Sequence, residues 1–228
     1  MNWLSKFFTS SIGQKLVVAA TGLWLVLFLT IHVIGNAQLF FNDGGAAFNH
    51  YAHVMENNPV IIYVVRWVTM IAFLLHAFRG IMMARENNAA RGQVGYAVNH
   101  TKNRTFASSN MWWIGSWIFI FWAFHLYAFW WRLMVGESPM TTLAGESIPD
   151  VYTMVATAFQ AWYNIIFYVA SMFVLYLHLS HGFQSAFQTF GLNHKKYSPV
   201  INIIGMVYSI VVPFMFACMP LYFFFFHQ

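Results

Sequence analysis

The sequence predicts an all-α membrane protein with five transmembrane helices, because of its composition and its apolar stretches. Of the 228 residues, 60% are hydrophobic and 7% are charged, whereas about a quarter of the residues in a soluble domain are charged. Five apolar stretches are each long enough to supply the ~20 helical residues that cross a bilayer. Helices are expected because they bond their own backbone polar groups within lipid.

The predicted spans follow one another closely, and no soluble domain is predicted between them. They cover residues 16–41, 60–84, 111–135, 162–190 and 200–226, and the whole chain, 1–228, is expected to be one membrane domain. The first apolar run is longer than the about 7–15 residues of a signal-peptide core, so we expect a retained helix. There is no internal repeat at the period of about 20–50 residues that is typical of solenoids and propellers.

Positive charge is concentrated on one side of the predicted spans. That side carries Lys6, Lys15, Arg79, Arg85, Arg91, Lys102, Arg104, Lys195 and Lys196, and the other side has Arg66 and Arg132 beside Asp43, Glu56, Glu137, Glu146 and Asp150. By the positive-inside rule, the N-terminus is cytoplasmic and the C-terminus is outside. The net charge of +5 is therefore expected to set membrane topology, and no nucleic-acid partner is predicted.

Four of the predicted spans each carry a histidine deep in the apolar stretch. His32 and His125 lie towards the outer ends of spans one and three, and His76 and His178 lie towards the inner ends of spans two and four. A histidine in this position is costly and usually marks function. Because alternate helices run in opposite directions, the histidines form two tiers, roughly 10–15 Å apart at about 1.5 Å of rise per residue.

Two tiers of two histidines are what two bis-histidine haems require, since each iron takes one ligand from each of two facing helices. Gly80 and Gly182 each follow a histidine, His76 or His178, by four residues and so share its helix face. A glycine here lets a flat porphyrin approach the backbone, although glycines also serve close packing of membrane helices. The sequence thus predicts two stacked haems that form an electron path across the bilayer.

Other histidines compete with or lie apart from these tiers. His181, three residues beyond His178, is an alternative inner ligand. The repeated spacing to glycine favours His178 and leaves His181 for a hydrogen bond near the inner surface or in a quinone pocket. His50 and His53 fall in the first outer loop, where solvated residues are expected.

Two arginines are candidate partners for haem propionates. Arg79 follows His76 by three residues, and Arg132 follows His125 by seven, so each lies near the face of its histidine. Snorkelling of these side chains to the lipid headgroups is the alternative. Cys218 is the only cysteine, which excludes an internal disulfide, an iron–sulfur site within the chain and covalent haem attachment through a CxxCH motif.

Taken together, the motifs resemble a known family. HVIGN at His32, LLHAFRG at His76, FHL at His125 and HLSHGFQSAFQTFGLNHKKY from His178 onwards are similar to the cytochrome b subunit of succinate:quinone oxidoreductases. The resemblance is to the bacterial five-helix, dihaem, single-anchor type, which includes succinate dehydrogenases and fumarate reductases. It covers nearly the whole chain, and its most specific part begins at His178.

The resemblance implies a cofactor set, partners and a location. Two haems b would be held by His32 with His125 in the outer tier and by His76 with His178 in the inner tier. The chain would be a multi-pass subunit of the bacterial cytoplasmic membrane that reacts with a quinone, with menaquinone expected. Its partners would be a flavoprotein with covalent FAD, which interconverts succinate and fumarate, and an iron–sulfur subunit.

The predicted mechanism is electron relay between the partner's iron–sulfur clusters, the two haems and the quinone. The chain has no dinucleotide or flavin fingerprint and is not expected to act on succinate itself. The expected docking surface comprises residues 1–15, 85–110 and 191–198, whose positive charge suits an acidic partner. The alternative is that these charges serve topology alone.

Two features bear on protons. Some fumarate reductases of this type carry a glutamate two residues before the fourth-helix ligand, where this chain has Tyr176, so a transmembrane proton path of that design is not expected. Glu56, at the outer mouth of span two, is either a proton acceptor for a quinol or a solvated loop residue.

Two other functions compete with this interpretation. The dihaem cytochrome b anchors of formate dehydrogenases and hydrogenases also use four membrane histidines. A proton-coupled transporter with a histidine relay is the second alternative, and it predicts neither haem nor paired depths.

Overall fold

The computed structural model describes residues 2–91 and 105–227 of the chain. Five helical segments are long and apolar enough to cross a membrane: Ser11–Phe40, Ile61–Asn87, Met111–Met134, Trp162–Thr189 and Ser198–Phe226. The predicted all-α, multi-pass class is thereby confirmed, with four spans within three residues of their expected boundaries and the first beginning five residues earlier. Lys102, Arg104 and most of the loop between the second and third spans lie outside the described residues.

Up to residue 91, the described chain is helical apart from short connections. Its helices are α1 (Trp3–Thr9), α2 (Ser11–Asn36), which continues as a 3-10 turn over Ala37–Phe40, α3 (Ala46–Asn57) and α4 (Arg66–Arg91), which follows a π-helical segment at Ile61–Val65. Ser10 caps α2, because its side chain accepts a hydrogen bond from the backbone N–H of Gly13 at 3.0 Å. Hence α2 begins well before the predicted Leu16, since hydropathy does not detect a polar first turn.

From residue 105 the chain adds three more spans and a hairpin. Its elements are α5 (Phe106–Ser109), α6 (Met111–His125), α7 (Arg132–Met134), β1 (Met140–Leu143), β2 (Glu146–Pro149), α8 (Val151–Ala158), α9 (Trp162–Thr189) and α10 (Ser198–Phe226). A π-helical segment, Leu126–Trp131, joins α6 to α7, so the three form one span. This segment has more residues per turn than an α-helix and changes the direction of every side chain that follows it.

Four helices close a ring. α2 packs against α4 and α9, and α6 packs against the same two helices from the opposite side. α2 and α6 are therefore diagonal partners, and so are α4 and α9. α9 is the central helix, since 33% of its most apolar stretch is buried in the protein, against 6% for the spans of α4 and α6. α10 lies outside the ring, against α9 and α2.

A small folded layer of α3, β1, β2 and α8 covers one end of the ring, and it is named the outer cap after the side on which the sequence predicts it. β1 and β2 pair antiparallel through a turn at Ala144 and Gly145, whose φ angles of 51° and 87° suit a tight hairpin. The Asn49 side chain joins α3 to α8, since its Nδ2 donates to Asp150 at 2.8 Å and its Oδ1 accepts from the backbone N–H of Tyr152 at 2.8 Å. The sequence analysis treated this region as loops.

The best-packed apolar cluster ties the outer cap to the spans. It comprises Leu39, Phe48, Tyr152, Val155, Phe159, Tyr168, Met219 and Phe223. Phe223, on α10, is fully buried among them. This cluster therefore lies at the end of the ring that the outer cap covers.

The two ends of the ring differ in charge. Lys15, near the start of α2, lines a cavity with Gln188 near the end of α9, so Lys15 and the segment after α9, which carries Lys195 and Lys196, share one end. Asp150 and Glu146 lie at the other end, within the outer cap. The separation of basic from acidic residues is the basis of the predicted topology. Which end of the ring faces the cytoplasm stays a prediction.

Candidate functional site

The outer pair of histidines meets across the ring. His32 on α2 and His125 at the end of α6 have ring centroids 6.0 Å apart and planes inclined at 86°. Each is stacked on a phenylalanine one turn earlier in its own helix, Phe28 at 5.2 Å and Phe121 at 5.7 Å. Phe216 of α10 covers His32 from outside the ring at 5.5 Å. The diagonal helices thus place two imidazoles in one apolar chamber.

His125 is oriented by a tyrosine of the central helix. Its Nδ1 lies 3.2 Å from the hydroxyl of Tyr168, which is 7% exposed and belongs to the apolar cluster at the outer end. When Nδ1 carries the proton and donates it to this hydroxyl, Nε2 keeps its lone pair. A tyrosine hydroxyl can accept or donate, so this contact is compatible with the tautomer in which His125 binds a metal through Nε2, and it fixes the orientation of the ring.

The inner pair repeats this arrangement on the other diagonal. His76 of α4 and His178 of α9 have ring centroids 5.9 Å apart and planes inclined at 71°. Nδ1 of His76 lies 3.0 Å from the carbonyl oxygen of Val18 and 3.3 Å from the hydroxyl of Thr21, both on α2. A carbonyl only accepts, so the proton is on Nδ1 and the lone pair of Nε2 is free.

His178 has an unmet polar atom. Its Nδ1 is buried and has no hydrogen-bond partner among the described residues. Leaving such an atom unpaired costs about 1–3 kcal/mol, and a group of this kind calls for an explanation such as a bound ligand or a functional role. The space around His76 and His178, the inner chamber, is therefore a place where the fold keeps an unpaired polar atom at a cost in stability.

The spacing of each pair fits two ligands on one metal ion. Imidazole nitrogens bind metals at about 2 Å, so two imidazoles on opposite sides of an iron have ring centres roughly 6 Å apart. The observed separations are 6.0 and 5.9 Å. Tyr168 and His178 mark the two tiers on α9, ten positions apart, which corresponds to about 15 Å of helix. The residues present thus fit two bis-histidine haems, in two tiers.

Glycines shape the inner chamber in two ways. A Cβ added at Gly22 would lie 3.1 Å from Cε1 of His76, so α2 needs a glycine here for His76 to come close. A Cβ at Gly80 or Gly182 would meet no atom within 4 Å, so the helix surface one turn from each inner histidine is open. Gly22 is not among the residues predicted from the sequence. It lies ten positions inward of His32, which places it level with the inner tier.

The other candidates are placed less closely. His178, and not His181, has its ring beside His76 in the described part of the chain. Arg79 is half-buried on α4, and its role beside a propionate stays a prediction. Arg132 pairs with Glu137 at 3.4 Å on the surface, an exposed contact of small energetic effect.

The expected position of Arg132 above His125 rested on α-helical spacing and needs correction. The π-helical segment Leu126–Trp131 lies between them and alters the angle through which seven residues turn. The seven-residue spacing therefore no longer predicts a shared face, and Arg132 as a propionate partner stays a prediction without this support.

Glu56 lies in the last turn of α3, within the outer cap, so it is a half-buried helical residue and not part of a loop. Burial raises the pKa of its carboxyl, although the nearby Arg66 and His53 act to lower it. His53 is also helical, with Nε2 3.9 Å from a carboxylate oxygen of Glu146. Glu56 is thus a half-buried acid at the outer end, where a proton acceptor was predicted.

Residues 2–91 and 105–227 hold no group of three or more histidine, cysteine, aspartate or glutamate side chains that could bind a metal ion by themselves. The two histidine pairs are a different case, because haem brings four nitrogen ligands of its own. Comparisons with protein-family models, curated proteins and solved structures give no match to this chain.

Proposed function

We propose that the chain is the membrane anchor and electron-transfer subunit of a succinate:quinone oxidoreductase, either a succinate dehydrogenase or a fumarate reductase. It would relay electrons between iron–sulfur clusters of a partner and a membrane quinone through two haems b. The observation that carries the proposal is the meeting of two histidine pairs on the two diagonals of the helix ring, each with ring centroids about 6 Å apart.

The ring of α2, α4, α6 and α9 would be the haem-binding bundle. His32 and His125 would hold the outer haem, and His76 and His178 the inner one. Bound haem supplies one-electron chemistry at its iron. The chain's own residues fix the imidazoles: the Val18 carbonyl holds the Nδ1 proton of His76, and stacked phenylalanines keep the outer pair in an apolar setting.

The end of the ring with α1, Lys15 and the segment 191–198 would face the cytoplasm and receive the partners. Lys195 and Lys196 are exposed there, next to the end of α9. A flavoprotein with FAD and an iron–sulfur subunit with an acidic edge would suit this positive surface. The chain would accordingly lie in a bacterial cytoplasmic membrane with α1 inside and the outer cap outside.

The quinone, with menaquinone expected, would react near the outer tier. Glu56 supports this placement, because its half-buried carboxyl holds a proton more firmly than an exposed one and sits at the entrance to the second span. A carboxylate whose pKa is raised in this way is a better proton acceptor than an exposed one.

A second dihaem function receives the same geometric support. The anchor of a formate dehydrogenase or hydrogenase would also use four membrane histidines, with a different soluble partner. The motifs from His178 to Tyr197 favour the succinate:quinone class. A haem-free proton-coupled transporter would give no reason for 6 Å pairs at matched depths.

The test is haem counting combined with copurification. We expect two haems per chain by pyridine haemochrome assay, a b-type reduced-minus-oxidised spectrum, and a flavoprotein with covalent FAD among the copurified proteins. A molybdopterin or nickel enzyme in its place would favour the second dihaem class. Absence of b-type absorption from protein purified out of its native membrane would overturn both and leave the transporter.

A further inference from the structure

The helices of the two outer-tier histidines carry the same residues at the same spacing. α2 has Gly22, Trp24, Phe28 and His32, and α6 has Gly115, Trp117, Phe121 and His125, so each histidine follows the others by ten, eight and four positions. Both phenylalanines are stacked on the histidine of their own helix. The agreement therefore extends from the spacing to the contacts.

The helices of the two inner-tier histidines agree in the same way. α4 has Thr69, Met70, His76 and Gly80, and α9 has Ser171, Met172, His178 and Gly182. A hydroxyl residue thus precedes each inner histidine by seven positions, and a glycine follows it by four. The period of this repeat is much longer than that of a solenoid, which is why a search at short periods does not detect it.

A tryptophan hydrogen bond joins the two helices of each pair, in addition to the contacts of His76 with Val18 and Thr21 between α2 and α4. Trp24 Nε1 donates to the hydroxyl of Thr69 at 3.1 Å, from α2 to α4. Trp117 Nε1 donates to the hydroxyl of Ser171 at 3.0 Å, from α6 to α9. The donors are equivalent in the repeat, and so are the acceptors. An indole N–H within lipid needs such a partner, because no water is present to replace it.

These matches relate two units of the ring, α2 with α4 and α6 with α9, position by position. A two-fold axis through the centre of the ring and parallel to its helices would carry α2 onto α6 and α4 onto α9. Membrane proteins with parallel repeats have an axis of this kind. Each unit contributes one histidine to the outer tier and one to the inner tier. The two histidine pairs join different units, whereas the tryptophan bonds act within a unit.

The tryptophan bonds lie between the tiers. Trp24 is eight positions inward of His32, about 12 Å of helix, and Thr69 is seven positions outward of His76, about 10 Å. The same counts hold for Trp117 and Ser171. Each bond therefore restrains two helices against sliding and rotation relative to each other. One helix of the pair, α2 or α6, carries an outer histidine, and the other, α4 or α9, carries an inner one.

We infer that Trp24 and Trp117 are equivalent positioning residues, which set the relation between the two tiers through Thr69 and Ser171. The inference rests on the proposed function insofar as the tiers hold haem, and it adds four residues to that function. Because each unit serves both tiers, loss of either bond should disturb both haems. A residue that only supports one pocket would disturb one.

The first experiment uses the holoprotein with Thr69→Val, which keeps the shape and removes the hydroxyl, and Thr69→Ser, which keeps the hydroxyl. We expect Thr69→Val to shift the midpoint potentials of both haems and both low-spin ferric electron paramagnetic resonance signals, and Thr69→Ser to restore them. Trp113→Phe is the matched control, because Trp113 is 71% exposed on α6. A change confined to one haem, or equal changes in the valine and serine variants, would overturn the inference.

The second experiment does not depend on haem. Double-mutant cycles on thermal unfolding of the purified protein would combine Trp24→Phe with Thr69→Val, and Trp117→Phe with Ser171→Ala. We expect each single change to lower Tm by about 2–4 °C, and each double variant to lie close to its single variants because one bond is removed. Additive losses in both cycles would overturn the positioning bonds. Non-additive losses of Tm in a protein that never holds haem would support the two hydrogen bonds and reject the proposed function.

Discussion

His76 on α4 hydrogen bonds through Nδ1 to the carbonyl oxygen of Val18 on α2, 3.0 Å away. The bond joins neighbouring helices of the ring and determines which ring nitrogen of His76 faces its diagonal partner. A backbone carbonyl is a dependable acceptor for this purpose, because substitution of the side chain at Val18 does not remove it. The inner tier is thus oriented by backbone, whereas the outer tier depends on the side chain of Tyr168.

Replacement of His76 by leucine tests the inner pair directly. We expect His76→Leu to reduce the haem content from two to one per chain, because His178 alone cannot supply both axial ligands. His181→Leu is the control and should keep two. Two haems in the His76→Leu variant would reject the pairing, and loss of one haem with His181→Leu, while His178→Leu keeps both, would transfer the ligand role to His181.

Removal of the Tyr168 hydroxyl tests the orientation of the outer pair. Tyr168→Phe leaves Nδ1 of His125 without its partner, and loss of such an outer-shell bond lowers metal affinity by about 10- to 100-fold. We expect weaker retention of the outer haem in a competition assay with apomyoglobin, with the inner haem unchanged. Tyr163→Phe, at a position 61% exposed on the same helix, should have no effect. An outer haem held as tightly as in the parent protein would contradict the role given to the hydroxyl.

Gly22 and Gly115 occupy equivalent positions and allow a matched comparison. Gly22→Ala would place a methyl group 3.1 Å from Cε1 of His76, and crowding of a packed site costs about 1–3 kcal/mol. We expect a displaced His76 and partial loss of the inner haem. Gly115→Ala meets no atom within 4 Å and should be neutral or slightly stabilising, since alanine favours helix. Equal effects of the two substitutions on haem content would show that Gly22 is not needed for the approach of His76.

The outer cap should lose stability in acid through Asp150. Burial alone would raise the pKa of this carboxyl, but hydrogen bonds from Thr153 and Asn49 outweigh it and lower the pKa below its ordinary 3.8. A lowered pKa in the folded state means that the ionised carboxylate stabilises the protein at pH above the unfolded value. That contribution is lost as pH falls through the folded value.

The corresponding variant is Asp150→Ala, which removes the N-cap of α8. We expect a loss of about 0.5–2 kcal/mol at pH 7 and a smaller difference from the parent protein below about pH 4. Thermal unfolding across pH 3–8 would measure it, with Glu137→Gln as a control on an exposed acid. A difference that is the same at pH 3 and pH 7 would contradict the assignment to the ionised carboxylate.

The spans were predictable because a single physical requirement dominates them. Each must carry enough apolar residues to cross lipid, and that property is local to the segment. The predicted start of α2 at Leu16 was wrong, because Ser10 caps the helix through its hydrogen bond with Gly13 and the helix therefore includes polar residues before Leu16. Depth in the spans also predicts which histidines share a tier, and the structure brings those residues together.

The remainder depends on contacts between distant parts of the chain. A hydrogen bond between Asn49 and Asp150 holds the outer cap together. No sequence pattern around either residue predicts this contact. The contact of Tyr168 with His125 depends on how α9 is rotated against α6. The π-helical segment after His125 changes the phase of the residues that follow, which periodicity counted at 3.6 residues per turn does not detect.

The position of α10 has a consequence for biogenesis. Phe216 of α10 covers His32 at 5.5 Å, whereas all four histidines of the two pairs belong to α2, α4, α6 and α9, which leave the ribosome earlier. The four helices of the ring are therefore complete before His32 receives this cover. A chain that stops before Ser198 would keep both histidine pairs and leave one side of His32 bare.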